Sequence, residues 1–182
     1  MKNYTKLKGS RLNAKSLIDI LKNSGYKLKL PIEVDEIINI LGIYVEKRPD
    51  FRKAKVTGSI SIKEGNPKIW INPMMNQSQE RERFTLAHEL GHFMLHFAQS
   101  FKDDYHEDDS IELNRDSNWN VKEMEANRFA AELLMPLELV EEEISLLNIN
   151  DTKEEKIEKL SEIFKVSRQA IQFRLQSIGL EL

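Results

Sequence analysis

The chain has no cysteine. That absence excludes a disulfide scaffold, a cysteine nucleophile and a thiolate-held structural zinc site. It also suits a reducing compartment. Long apolar runs are missing too, and none of those present reaches the length a bilayer demands. The N-terminal residues are rich in Lys and Asn and lack the apolar stretch of a secretory signal. There are no internal repeats and no low-complexity linker. Together these absences point to a soluble, cytoplasmic chain with no membrane partner.

What remains is a sequence of 182 residues that is 40% hydrophobic, enough to build a core and too much for a disordered chain. One domain with a small appended subdomain is the expectation at this length. The net charge of −3 is unevenly spread. Residues 1–70 hold fifteen Lys/Arg against seven Asp/Glu, whereas residues 100–143 hold four against fourteen. Such asymmetry gives either two solvated faces that attract one another or a substrate groove with a charge preference.

The most informative stretch is His88-Glu89-Leu90-Gly91-His92. Residues four apart share a helix face, so both imidazoles can converge on one ion, and Glu89 can reach a water beside it. The surrounding pattern is helical from a cap at Asn76 or Ser78 to about Phe97. That helix is apolar almost all round, through Phe84, Leu86, Ala87, Leu90, Phe93, Met94, Leu95 and Phe97, which marks it as buried. Buried imidazoles and a buried carboxylate need partners, and a metal ion supplies one.

Around this helix the pattern predicts an α+β fold. An N-terminal helical segment (1–30) carries a stripe of Leu12, Leu17, Ile18, Ile20 and Leu21, ending at Ser24-Gly25. A core follows over 31–147. It opens with a short helix from Pro31 to Gly42, a strand at Ile43–Glu46 and a β-hairpin of Thr57–Ile62 and Lys68–Asn72 around Glu64-Gly65-Asn66-Pro67. The sheet should be small, of about three strands and mostly antiparallel. Residues 99–120 are acidic and read as an exposed loop. A second strong helix runs from Asn120 to Met135, and Pro136 starts the next, to Leu147. Residues 148–182 read as C-terminal helices packed on the core: one capped by Asp151 up to Phe164, and one from Gln169 to Ile178, closed by Gly179.

A catalytic zinc takes three protein ligands and leaves a position for water. His96 continues the four-residue spacing beyond His88 and His92. A straight helix rises about 6 Å per four residues, so an ion between His88 and His92 would sit roughly 9 Å along the axis from His96. With zinc–nitrogen bonds of about 2.0–2.1 Å, His96 is a poor ligand and reads as a core histidine. Glu123 is the better third ligand. It shares a face with Asn127, which can hydrogen-bond a liganding histidine in support. The bland alternative is that Glu123 closes a capping box with Asn120. Glu125 is the rival acid, but it projects about 200° around the helix from Glu123. A set of two His and one Glu suits one Zn2+, although manganese or iron also fits.

His88-Glu89-Leu90-Gly91-His92-Phe93-Met94-Leu95-His96, followed by Glu123-Met124-Glu125-Ala126-Asn127-Arg128-Phe129-Ala130-Ala131-Glu132-Leu133-Leu134-Met135-Pro136, resembles the ImmA/IrrE family of bacterial and phage metallopeptidases. Ile69-Trp70-Ile71-Asn72-Pro73 is similar to that family's strand before the zinc helix. The resemblance implies His88, His92 and Glu123 as metal ligands, and a thermolysin-like two-helix zinc core on the small sheet. It also implies a protein substrate, since members typically act on helix-turn-helix repressors as anti-repressor proteases. Such proteins often sit beside their repressors in mobile elements or toxin–antitoxin pairs.

The expected activity is zinc-dependent endopeptidase cleavage, with Glu89 as general base. Tyr105 and His106 are candidates for oxyanion support from the acidic loop. Strand Lys68–Asn72 is a candidate edge for pairing with an extended substrate. The alternative is a DNA-binding or repressor-binding regulator with a structural or non-catalytic metal site. Leu160–Leu175 resembles a helix-turn-helix, with Ser167 as cap and Arg168, Gln169, Gln172 and Arg174 facing DNA. Against it, residues 156–177 hold five Lys/Arg and two acids, a weak basic patch for DNA.

Overall fold

The computed structural model describes residues 10–98, 104–109 and 117–182; the side chains of 104–109 and 117–120 fall outside that description. The fold is α+β, with seven α-helices and a mixed sheet among the described residues.

Helix α1 (Ala14–Asn23) starts where Asn13 caps it, its side-chain oxygen accepting the Ser16 N–H at 2.8 Å. Leu17, Ile18 and Leu21 of its stripe are buried, whereas Ile20 is exposed. The expected helix before residue 10 lies outside the described residues. Helix α2 (Val34–Leu41) begins three residues after Pro31 and closes at Gly42. Strand β1 (Tyr44–Lys47) follows, then the hairpin of β2 (Val56–Lys63) and β3 (Asn66–Ile71). Its two-residue turn, Glu64-Gly65, holds both residues at positive φ (50° and 72°), the backbone that matches the twist of a tight hairpin.

The sheet order is β1-β3-β2-β4. β1 runs parallel to β3, and the other two pairings are antiparallel. Two expectations change here. β3 is paired on both sides, so it is no edge for a substrate strand. The acidic stretch is not simply a loop, because Asp104–Asp109 forms β4 on the far side of β2. The three predicted strands therefore gain a fourth. Acidic residues have low strand propensity, so only pairing with β2 makes this segment a strand.

Helix α3 (Gln79–His92) is capped by Ser78, whose Oγ accepts the Arg81 N–H at 3.2 Å. The expected straight run to Phe97 ends at His92, and Phe93–Phe97 winds as a π-helix. Helix α4 (Ser117–Leu134) begins ahead of Asn120, which puts Asn120 inside the helix and removes the capping-box explanation of Glu123. Helix α5 (Leu137–Leu146) has Pro136 in its cap position. Helix α6 (Lys153–Phe164) is capped by Thr152 and not by Asp151, in a reciprocal capping box with Glu155. Asp151 instead accepts from Lys159 Nζ at 2.6 Å. Helix α7 (Arg168–Ile178) is capped by Ser167 and closed by Gly179.

One buried apolar cluster runs from Ala14 in α1 to Leu175 in α7. α3 packs along α4 and across the sheet at β2 and β3, and its Leu86 and Leu90 share one buried cluster with Ile60, Ile69, Phe129 and Leu133. Two buried arginines tie elements to this core. Arg83 Nη2 donates to the Ile32 carbonyl at 2.7 Å, joining α3 to the segment before α2. Arg174 Nε donates to the Met135 carbonyl at 2.9 Å. Pro136 breaks the chain after α4, leaving that carbonyl without an intrahelical donor, and Arg174 fills the need. Burial pushes both guanidinium groups below their usual pKa. Arg174, expected to face DNA, is thus a structural tie, and Arg168 is paired with Glu158. Gln169 and Gln172 remain exposed.

Arg174→Met should leave the Met135 carbonyl unsatisfied and lower unfolding free energy by about 1–3 kcal/mol, the cost of one orphaned buried acceptor. Urea denaturation checks this; an unchanged midpoint would show that α7 is held by apolar packing alone.

Candidate metal centre

Two helices deliver the site. Positions 88 and 92 lie one turn apart on the buried face of α3, and position 123 lies on the facing side of α4. Their approach is set by Gly91. A Cβ there would stand 3.1 Å from Phe129 Cβ and 3.2 Å from the Ala126 carbonyl, so α4 packs directly on the α3 backbone between the two histidines.

The three side chains meet as a triangle of residues, with Glu123 facing each histidine through a different carboxylate oxygen. His88 Nε2 and His92 Nε2 are 3.0 Å apart. Glu123 Oε2 lies 3.2 Å from His88 Nε2, and Glu123 Oε1 lies 3.1 Å from His92 Nε2. Ligands at about 2.0–2.1 Å around a tetrahedral ion stand roughly 3.3 Å from one another, and the His88–His92 spacing and each histidine's contact with the carboxylate lie near that value. His88 and His92 are buried, while the Glu123 side chain keeps 21% of its surface exposed, which leaves the cluster an open side. Asn127 Oδ1 lies 3.0 Å from His88 Nδ1. An amide oxygen accepts, so the ring proton sits on Nδ1 and the Nε2 lone pair points to the cluster. His88, His92 and Glu123 are a group that can hold a metal ion.

The other candidates separate cleanly. Glu125 turns away from the triangle to Arg11 and to His96, whose Nε2 lies 3.7 Å from Glu125 Oε2. The π-turn after His92 does not bring His96 into the cluster, although its ring lies 5.5 Å from that of His92, centre to centre. Burial pushes the His96 imidazole below its usual pKa, outweighing a backbone hydrogen bond with Lys122 and the charge of Glu125. Tyr105 and His106 stand on β4 opposite Ser61 and Ile60, and their side chains lie outside the described residues.

Glu89 is fully buried beside the triangle, and its carboxylate lies over β2 at Gly58. Around that point runs a polar chain that sequence reading did not single out. Thr85 Oγ1 donates to Asn76 Oδ1 at 2.6 Å. Asn76 Nδ2 donates to the carbonyls of Thr57 and Asn72, both at 2.8 Å. Asn72 Nδ2 donates to the Val56 carbonyl at 3.1 Å. One signal was available in the sequence: a glycine inside the β-branched run Thr57–Ile62 marks a bulge or a close approach.

A pair of packed helices on a mixed sheet, sharing a largely buried two-His, one-Glu group, makes this an α+β protein with a cluster that could hold a metal ion. Residues 39–176 match the peptidase M78 family, described as the IrrE N-terminal-like domain. The chain belongs to that family. No curated protein matches it.

Metal analysis should find about one ion per chain in the wild type and none in Glu123→Ala, because two imidazoles alone leave the triangle open. Asn127→Ala should bind the ion about 10–100-fold more weakly, as loss of a support to a liganding histidine does. Full occupancy in Glu123→Ala would remove Glu123 from the site.

Proposed function

We propose that the chain is a zinc-dependent endopeptidase that cleaves a helix-turn-helix transcriptional repressor or a similar regulator. The observation that carries the peptidase reading is the His88–His92–Glu123 triangle with the Glu89 carboxylate one residue along the same helix. Family membership supports it. Zinc is the ion that two imidazoles and a carboxylate suit best. Support for a repressor substrate comes from the likeness of both motifs to ImmA/IrrE proteins, whose members typically act on such repressors. The DNA-binding reading gains little support, since Arg174 is buried and Arg168 is engaged by Glu158.

When bound, a divalent ion at the triangle acidifies water and polarises a carbonyl. The remaining chemistry belongs to the chain. His88 and His92 present their Nε2 lone pairs, with Asn127 holding the proton of His88 on Nδ1. Glu89 accepts a proton from water at its carboxylate and delivers it to the leaving amine nitrogen. Its burial keeps competing solvent from that proton. Tyr105 and His106 are proposed to steady the carbonyl oxygen as it gains charge. Both are residues of β4, His106 two and Tyr105 three positions along the strand from Asp108, which pairs with Gly58.

Glu89→Gln should retain its metal and cut a helix-turn-helix repressor at least about a hundredfold more slowly, the contribution of a positioned base. Mass spectrometry of fragments reads the loss, and retained cleavage overturns the role of Glu89. If the same variant kept full biological activity, the partner would be held and not cut. Tyr105→Phe or His106→Ala should lower turnover about a hundredfold if that residue is the oxyanion donor; unchanged turnover in both removes them.

A further inference from the structure

We propose that Gly58 is a positioning residue for Glu89: the side chain that Gly58 lacks is the space in which the Glu89 carboxylate is held. The idea rests on Glu89 as the proton carrier, and it adds a residue on the sheet to a site otherwise built by two helices.

The backbone does not ask for glycine at this position. The positive-φ glycines among the described residues are Gly25, Gly42, Gly65 and Gly179, and Gly58 is not one of them. A glycine inside a strand weakens it, since no side chain packs there. The reason lies across the strand. A Cβ on Gly58 would stand 2.8 Å from Thr85 Cγ2, 3.0 Å from Glu89 Oε1 and 3.2 Å from Glu89 Cγ. Two of the three nearest atoms are therefore those of Glu89 itself.

Neither wall of this space can retreat. β2 pairs with β3 at Gly58–Ile71 and with β4 at Gly58–Asp108, and the β2–β4 register slips between Val56 and Gly58. Bulges of this kind re-aim a strand beside a functional site. This one is pinned, because the Thr57 carbonyl accepts from both the Asn72 N–H (3.0 Å) and Asn76 Nδ2 (2.8 Å). On the other wall, Thr85 is anchored to the same Asn76. The asparagine thus fixes β2 and α3 to each other one residue from Gly58 and one helical turn from Glu89. With both backbones held, added volume at position 58 must be absorbed by side chains. Thr85 is short and tethered, so the longer Glu89 yields.

The test uses Gly58→Ala, Thr85→Ser and the double variant, each metal-loaded. Serine at 85 removes the methyl at 2.8 Å and keeps the hydroxyl for Asn76, so in the double variant only Glu89 still crowds the new Cβ. The double variant should recover wild-type thermal stability and zinc affinity. Its crystal structure should nevertheless show the Glu89 carboxylate moved by about 0.5 Å or more, the tolerance of a working catalytic geometry. Its kcat should fall about 10–100-fold with KM unchanged, as expected when a reacting group is misplaced and substrate binding is not. Thr85→Ser alone should behave as wild type. An unmoved carboxylate in the double variant overturns the proposal, whatever the activity. Wild-type turnover with a displaced carboxylate leaves the hold of Gly58 on Glu89 standing and brings down the role of Glu89 instead.

Discussion

The close packing of α3 on α4 at Gly91 is the contact on which the site depends. Phe129 and the Ala126 carbonyl rest where a side chain at 91 would be, so the two helices approach nearer than ordinary residues allow. At that separation Glu123 on α4 reaches both imidazoles of α3 at 3.1–3.2 Å. The same approach sets Asn127, one turn beyond Glu123, against His88 Nδ1. The candidate ligand and its support come from one face of one helix.

Charge makes the arrangement worthwhile. Glu89 and Glu123 bring two carboxylates beside two imidazoles in a largely dry volume. Like charges buried together are costly unless a cation or hydrogen bonds compensate them. A divalent ion held there would neutralise the pair and so link occupation of the site to stability of the fold. The mixed sheet closes the opposite wall. Its bulged strand β2, held by Asn72 and Asn76, brings a bare backbone up to Glu89. The acid is thus confined between a helix and a strand fixed by the same asparagine, the confinement that the proposed proton carrier would need to keep its direction.

Much of this was legible beforehand because it is local. The helical stripe of α1, the glycine closing α2, the hairpin around Glu64-Gly65-Asn66-Pro67 and the Ser167 cap each depend on neighbours a few residues apart. The separation of the two acids is local as well: angular offset sets Glu123 apart from Glu125, which turns to Arg11 and His96 instead. Elements that owe their form to distant partners were read wrongly. The acidic segment Asp104–Asp109 has the composition of a loop and becomes a strand only against β2. β3 looks like an edge until β1 pairs with it in parallel across the chain. Arg174 looks like a surface cation until the break at Pro136 gives it a buried carbonyl to serve.

The sequence by itself determined the chemistry: two histidines one turn apart, an acid between them, and a second helix carrying Glu123 and Asn127 on one face. Periodicity suffices for that, because a helix fixes the relative direction of residues within it whatever surrounds it. Only the tertiary structure decided how these pieces meet. The triangle of donor atoms, the open side at Glu123 and the wall that β2 raises against Glu89 depend on distances between elements. Those distances are set by what each interface lacks, a side chain at Gly91 and another at Gly58, and an absent side chain shows its purpose only once the atoms that fill its place are known.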